Sequence, residues 1–271
     1  MLTWQFASDL ILTFLTYAFL GWVAEVVYCA VQDGRFSNRG FLAGPVVPIY
    51  AFGALLVLFL LAPVSENPFW IFVGGALLCT LLELVTGWAL ERIFRQRWWD
   101  YTGTPFNIGG YVNLKMSILW GLACLLLVEV LHPGVELLLD WLPDTLQTVI
   151  VVVCLALFLI DFVTSVQTAL KLKHRVVSLD RISMDLRELS DNLGERLAGR
   201  SIEAAANAER EKERLVQRRS ELRDDIGRRT ERLLDAFPQL RSLDHPGALK
   251  EIDERRRQRK GDGAPEANGG R

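Results

Sequence analysis

The sequence is 271 residues long, 51% hydrophobic and nearly neutral at −2, but its charges are sharply partitioned. Residues 1–170 hold 6 Lys and Arg against 12 Asp and Glu, whereas residues 171–271 hold 24 against 20. The apolar runs of the first part exclude a soluble domain, which would need several helices hydrophobic all round in one small core. The near balance of charge in the second part, with no recognition motif, argues against a nucleic-acid partner.

The first predicted span covers about 10–30 and is apolar apart from Glu25. The residues before it contain no basic region, which argues against a cleaved signal peptide. From Asp33 to Pro45 the chain mixes Arg35, Arg39, glycines and apolar residues, as expected of a segment dipping back into the bilayer. Pro45 and Pro48 suit the first turn of the second span, 45–62, which has no charge. The third span, 69–90, contains Glu83 as its one charge. The loop after it carries Arg95, Arg97, Trp98, Trp99, Asp100, Tyr101 and Asn107, and has the same mixed character. Trp98, Trp99 and Tyr101 suit the interfacial belt as anchors. Asp100 and Asn107 have no such simple explanation and are candidates for binding. The fourth span, 116–131, is at the short limit for crossing a bilayer, and flanking Lys115 can snorkel. Glu129, near its outer end, reaches water easily. The fifth span, 147–170, contains Asp161. The predicted class is an all-α integral membrane protein with five transmembrane helices and two re-entrant or interfacial cytoplasmic loops, followed by a cytoplasmic helical or coiled-coil tail.

All six basic residues before 171 fall in the loop after span one or the loop after span three. The positive-inside rule puts those loops and the Arg-rich tail in the cytoplasm, with the N-terminus outside, as an odd number of spans requires. Glu25, Glu83 and Asp161 then lie 15, 14 and 14 residues along inward-running spans, roughly 21–22 Å down. A carboxylate at a helix centre costs roughly 2.5–3.5 kcal/mol on translocon scales, so such groups mark functional positions unless paired. Either the three face one another or a shared polar cavity, or each is paired separately with a loop arginine. Glu25 precedes Arg39 by 14 residues and Glu83 precedes Arg97 by 14, an internal echo of the two-helix repeats used by transporters. Each loop would then offer its arginine to its own carboxylate, offsetting the burial cost.

Other chemistry is sparse. Cys29, Cys79, Cys124 and Cys154 are far apart within spans and behave as small hydrophobes. His132, His174 and His245 have no metal-ligand spacing, and no cofactor is expected. The chain has no P-loop, GxSxG elbow or HExxH helix. Any ATP-driven step would therefore need a separate ATPase subunit.

From Lys171 the chain changes character. Leu179, Ile182, Leu186, Leu189 and Leu193 step by three and four, the seam of a coiled coil. After Gly194 and Gly199 the stripe thins, resuming at Leu215, Leu222, Ile226 and Leu233. The tail reads either as a solvated helix hairpin or as an arm for homo-oligomerisation or partner docking. Arg255 to Lys260 would suit anionic headgroups. Pro238 and Pro246 are expected to end helical order, leaving a mostly disordered C-terminus. The predicted division is 1–170 for the membrane domain, 171–237 for the helical tail and 238–271 for that C-terminus.

The set Phe19-Leu20-Gly21-Trp22 with Glu25, Asn38-Arg39-Gly40-Phe41, Gly44-Pro45 and Pro48-Ile49-Tyr50 resembles the signature of the CmpB-type ABC transporter permeases. Glu83, Trp98-Trp99-Asp100-Tyr101, Asn107 and Trp120-Gly121 extend the likeness, which covers roughly residues 14–125. It departs mildly at Tyr50-Ala51-Phe52-Gly53. The resemblance implies a multi-pass protein of the bacterial cytoplasmic membrane that acts as a transport permease component. Its candidate substrate- or ion-binding residues are Glu25, Arg39, Tyr50, Glu83, Arg97, Asp100, Asn107 and Asp161. Carboxylates at that depth suit a cation, a proton or an amine-bearing solute. The residues leave two alternatives: a lipid-handling membrane enzyme using the Trp-Trp-Asp-Tyr loop, and a non-catalytic scaffold or sensor presenting a helical arm.

Overall fold

The computed structural model describes residues 4–33, 38–197, 202–225 and 227–262. The predicted loop positions 34–37, Gly199, Ile226 and the closing segment 263–271 lie outside the described residues, as do the side chains of Leu193, Arg259 and Lys260. Helix α1 spans Trp4–Asp33 and α2 spans Pro48–Leu60. Helix α3 covers Pro68–Phe94, and α4 (Leu114–Leu126) continues through a π-helical turn into α5 (His132–Asp140). A single 54-residue helix, α6 (Asp144–Leu197), leads into the tail, which adds α7 (Ile202–Asp224), α8 (Arg228–Ala236) and α9 (Pro246–Asp262). Four two-residue strands complete the described chain: β1 (Gln96–Arg97), β2 (Asn107–Ile108), β3 (Val112–Asn113) and β4 (Arg241–Ser242).

Among the described residues, four helical stretches are long and apolar enough to cross a membrane: Trp4–Val31, Pro68–Phe94, Leu114–Asp140 and Asp144–Leu189. Their outer faces expose large apolar side chains such as Leu77, Leu81 and Leu122, surface that lipid rather than water suits. The second apolar run is shorter. Bends at residues 40–45 and extended backbone at Val47 precede Pro48, so α2 has 13 residues, about 20 Å against a hydrocarbon core near 30 Å. The fourth helix is longer than the apolar run alone suggests and continues to Asp140. Pro133 has no N–H for the preceding turn, and the helix widens into the π turn Leu127–Leu131 just before it.

The helices pair as hairpins, α1 with α2 and α3 with α4. At Gly121 a Cβ would lie 2.9 Å from the Phe72 carbonyl oxygen, so a bare backbone is what lets α4 approach α3 this closely. Asn113, 5% exposed, caps α4 by accepting from Met116 N at 2.9 Å. Asn113→Ala is expected to lower stability by about 1 kcal/mol. Unfolding in graded SDS checks this, and a wild-type midpoint would refute it.

A second core lies beyond the membrane helices. Phe94, Trp98, Leu172, Val176, Leu179, Leu233, Leu249 and Ile252 pack together there, joining the end of α3, the middle of α6 and the tail helices. The first residues of the leucine seam are thus covered by the chain's own α8 and α9. The stretch from residue 238, expected to be mostly disordered, instead carries β4 and α9 as far as Asp262. Pro246 begins a helix rather than ending one, because a first-turn proline lacks only an N–H that has no intrahelical partner. Ala248, Leu249 and Ile252 then anchor α9 in the core. The basic run that suited headgroups is largely paired internally. Arg255 meets Asp224 at 3.0 Å, Arg256 meets Asp235 and Asp253, and Arg257 meets Asp253 at 2.7 Å.

Candidate functional site

Two of the three deep carboxylates converge. Glu25 on α1 accepts from the Tyr50 hydroxyl at 2.6 Å. Tyr50 stands in the first turn of α2, which is set against α1 by the bond from Val47 N to the Ala18 carbonyl at 2.9 Å. A Cβ on Gly21 would lie 2.4 Å from both Cβ and Cγ of Tyr50, so only glycine admits the ring here. Glu83 on α3 is 7% exposed and accepts from Trp120 Nε1 at 3.0 Å and from the Tyr101 hydroxyl at 3.3 Å. The Tyr50 and Trp120 rings meet edge to face with centroids 5.5 Å apart, joining the two halves of the cluster. The two carboxylates are close enough to interact electrostatically. Hydrogen bonds to a charged group are worth about 1.5–3 kcal/mol each, so three aromatic donors offset part of the cost of burial. One turn before Glu83 on α3, Thr80 donates to Ser117 at 2.8 Å and the Cys79 and Cys124 sulfurs lie 3.6 Å apart.

Asp161 takes a different place. It accepts from Gly44 N at 2.7 Å, Ala43 N at 3.2 Å and Ser165 Oγ at 3.3 Å, and so holds the loop that leads into α2. The same loop is fastened to α1 through Asn38, which accepts from Trp22 Nε1 at 2.7 Å and donates to the Ala43 carbonyl at 2.9 Å. On its other side Arg232 of α8 donates to three successive carbonyls, those of Gly40 (3.1 Å), Phe41 (2.9 Å) and Leu42 (2.7 Å). Burial pushes the Arg232 guanidinium below the usual arginine range, while the Asp161 charge across the loop works the other way. The loop's N–H groups thus face an anion and its carbonyls a cation. Arg39 sits half-buried in the same loop.

The second loop is held by its own polar network. Arg97 turns to Glu91 at 2.9 Å and Asp100 at 3.4 Å, with its guanidinium 4.9 Å from the centre of the Tyr111 ring, instead of folding back to Glu83. Burial would raise the Asp100 carboxyl, but the Thr102 N–H and the Arg241 and Arg97 charges together hold it below the usual carboxylate range. Arg241, from β4, lies 2.5 Å from Asp100. Asn107 donates to the Thr104 carbonyl at 2.7 Å and accepts from Gly110 N at 3.1 Å, closing the turn between β2 and β3. Trp98 is enclosed by Phe41, Phe94 and Phe237 in the second core, and Trp99 donates to the Tyr111 carbonyl at 2.8 Å. Tyr101, expected at the interface, is the residue of this loop that reaches the cluster.

Sequence reasoning named Trp120 only within the family signature, without a binding role, and passed over Arg232 and Arg241. The signal for Trp120 was that motif, beside Gly121. The two arginines had none, being 2 among 24 basic tail residues. Among curated proteins and among solved structures, nothing matches the chain. A family model does match, over residues 12–166, a span that includes every residue of the two-carboxylate cluster and ends before Arg232. Through that match, over more than half its length, the chain belongs to the CmpB family, described as putative ABC-transporter type IV.

Proposed function

We propose that the protein is a transport permease component of the bacterial cytoplasmic membrane, with Glu25, Tyr50, Glu83, Tyr101 and Trp120 as its polar site in the inner half of the bilayer. In this reading α2 and the loop before it make the second of five spans, the N-terminus lies outside and the tail is cytoplasmic. The observation that carries the proposal is the meeting of two carboxylates from separate membrane helices in one cluster of aromatic donors. Paired acids of this kind bind a proton, a small cation or an amine-bearing solute, because removing their charge relieves both burial and mutual repulsion. The chain lacks a nucleotide-binding motif, so an ATPase subunit would dock on the cytoplasmic side. Asp161, Arg39, Arg97, Asp100 and Asn107 support the site by holding the two loops that deliver Tyr50 and Tyr101.

Glu25→Gln and Glu83→Gln test this reading. In cells expressing the full chain, methylammonium uptake and dye-reported proton flux are measured against cells without it. Each variant is expected to lower the added flux about tenfold, the factor that 1.4 kcal/mol represents. Unchanged flux in both variants would remove the cluster from the mechanism.

A further inference from the structure

The cluster lies on a seam between two hairpins. The α1–α2 hairpin supplies Glu25 and Tyr50, while α3, its following loop and α4 supply Glu83, Tyr101 and Trp120. On the cytoplasmic side one short stretch of the tail, residues 232–244, fastens to both. Arg232 holds the first hairpin's loop by three carbonyls. Nine residues later, β4 pairs antiparallel with β1 of the second hairpin's loop, Gln96 opposite Ser242 and Arg97 opposite Arg241. Leu243 N donates to the Arg95 carbonyl at 3.1 Å, and Arg95 grips Asp244 through two bonds of 2.8 and 2.6 Å. Arg241 closes on Asp100 in the same loop.

We propose that residues 232–244 are a cytoplasmic strap that locks the two-carboxylate cluster. Seated, the strap ties the two hairpins together beneath the cluster and closes it to the cytoplasm. Released at the Arg232 side chain and at residues 241–244, it frees the loop that precedes α2 to leave Asp161, and water enters from that side. The mechanical link is short: Leu42, in Arg232's grip, lies eight residues before Tyr50, and Ala43 and Gly44 between them are the groups that Asp161 holds. A guanidinium suits the grip because its rigid planar fork of donors is already set to meet several carbonyls, whereas an ammonium is a compact charge on a flexible stem. Leu233 and Leu234 keep the start of the strap anchored in the second core, but its bonds to the second loop are partly exposed, with Arg95 at 44% and Arg241 at 50%, so those bonds can open while α8 stays in place. The strap lies outside the stretch matched by the family model. Its role as a lock rests on the cluster being the transport site, but its opening can be read without transport.

Native Cys79 is the reporter, one turn outward from Glu83 on α3, where a reagent from the cytoplasm must pass the cluster to reach it. In inside-out vesicles containing the full chain, a water-soluble methanethiosulfonate is added and each cysteine adduct is quantified by mass spectrometry. Arg232→Gln and Arg241→Ala are expected to speed Cys79 labelling about tenfold, corresponding to 1.4 kcal/mol less latching free energy. Amide exchange over residues 43–47 should quicken in Arg232→Gln, and Arg232→Lys should fall between that variant and the parent. Labelling of Cys154 on α6 should stay at the parent rate, marking an intact bundle. Should Arg232→Gln unfold the bundle, as faster Cys154 labelling would show, Arg241→Ala decides alone. Parent rates at Cys79 in Arg241→Ala, or in a folded Arg232→Gln, would overturn the strap. The labelling needs no substrate, so this result stands whatever Glu25→Gln and Glu83→Gln do to flux.

Discussion

Gly21→Ala is expected to destabilise the protein by about 3 kcal/mol and to part Tyr50 from Glu25, because overpacking a close helix contact forces backbone apart. The added methyl would meet Cβ and Cγ of Tyr50 at 2.4 Å, the root of the side chain rather than a tip that can swing away. Relief therefore requires α2 to move as a body. Movement of α2 breaks the 2.6 Å bond to Glu25 and pulls the Tyr50 ring from Trp120. The bond from Val47 N to the Ala18 carbonyl, three residues from Gly21 on α1, would go with them. Gly134→Ala is the matched control, since a Cβ there meets nothing within 4 Å and alanine gains about 0.5–1 kcal/mol in a helix. SDS unfolding midpoints of the two variants should move in opposite directions. Equal midpoints would show that the α1–α2 contact is looser than the structure has it.

Asp161→Ala should remove about 2–6 kcal/mol, at roughly 1–3 kcal/mol for each buried donor left without an acceptor. The stranded groups are Ala43 N and Gly44 N, in a part-buried loop, so the lower end of that range is expected. The loss also takes away the negative charge that faces Arg232 across the loop. Asp161→Asn keeps one acceptor oxygen, and so should retain the short bond to Gly44 and lose less than half as much. Unfolding midpoints give the energies, and amide exchange at residues 43 and 44 shows whether the damage starts in the loop. An alanine variant as stable as the parent would mean that Asp161 is not what holds the loop.

Much of the helical plan is legible in the sequence, because the length and apolar content of a run are local quantities. The runs at 10–30, 69–90 and 147–170 all lie within helices that are long and apolar enough to cross. The boundary of α2 was less legible. Its helix begins where Pro48 allows, and the bent loop before it is held by Asp161 and Arg232, which take its backbone groups from outside. The C-terminal stretch was misjudged for a related reason: its low apolar content hides the few residues, Ala248, Leu249 and Ile252, that find a core already made by α6 and α8.

The candidate site divides in the same way. Position along an apolar run depends on residue count alone, so the sequence by itself determined that three carboxylates lie 14 or 15 residues into apolar helical runs. It also determined the family, because that signature is a matter of residue order. Which carboxylates meet depends on how each helix is rotated and which helices are neighbours, and spacing carries neither. Only the tertiary structure decided that Glu25 and Glu83 share one aromatic cluster while Asp161 holds a loop. Likewise, Arg232 and Arg241 are two among many basic residues until the tail folds back, because their partners lie more than 140 positions away along the chain.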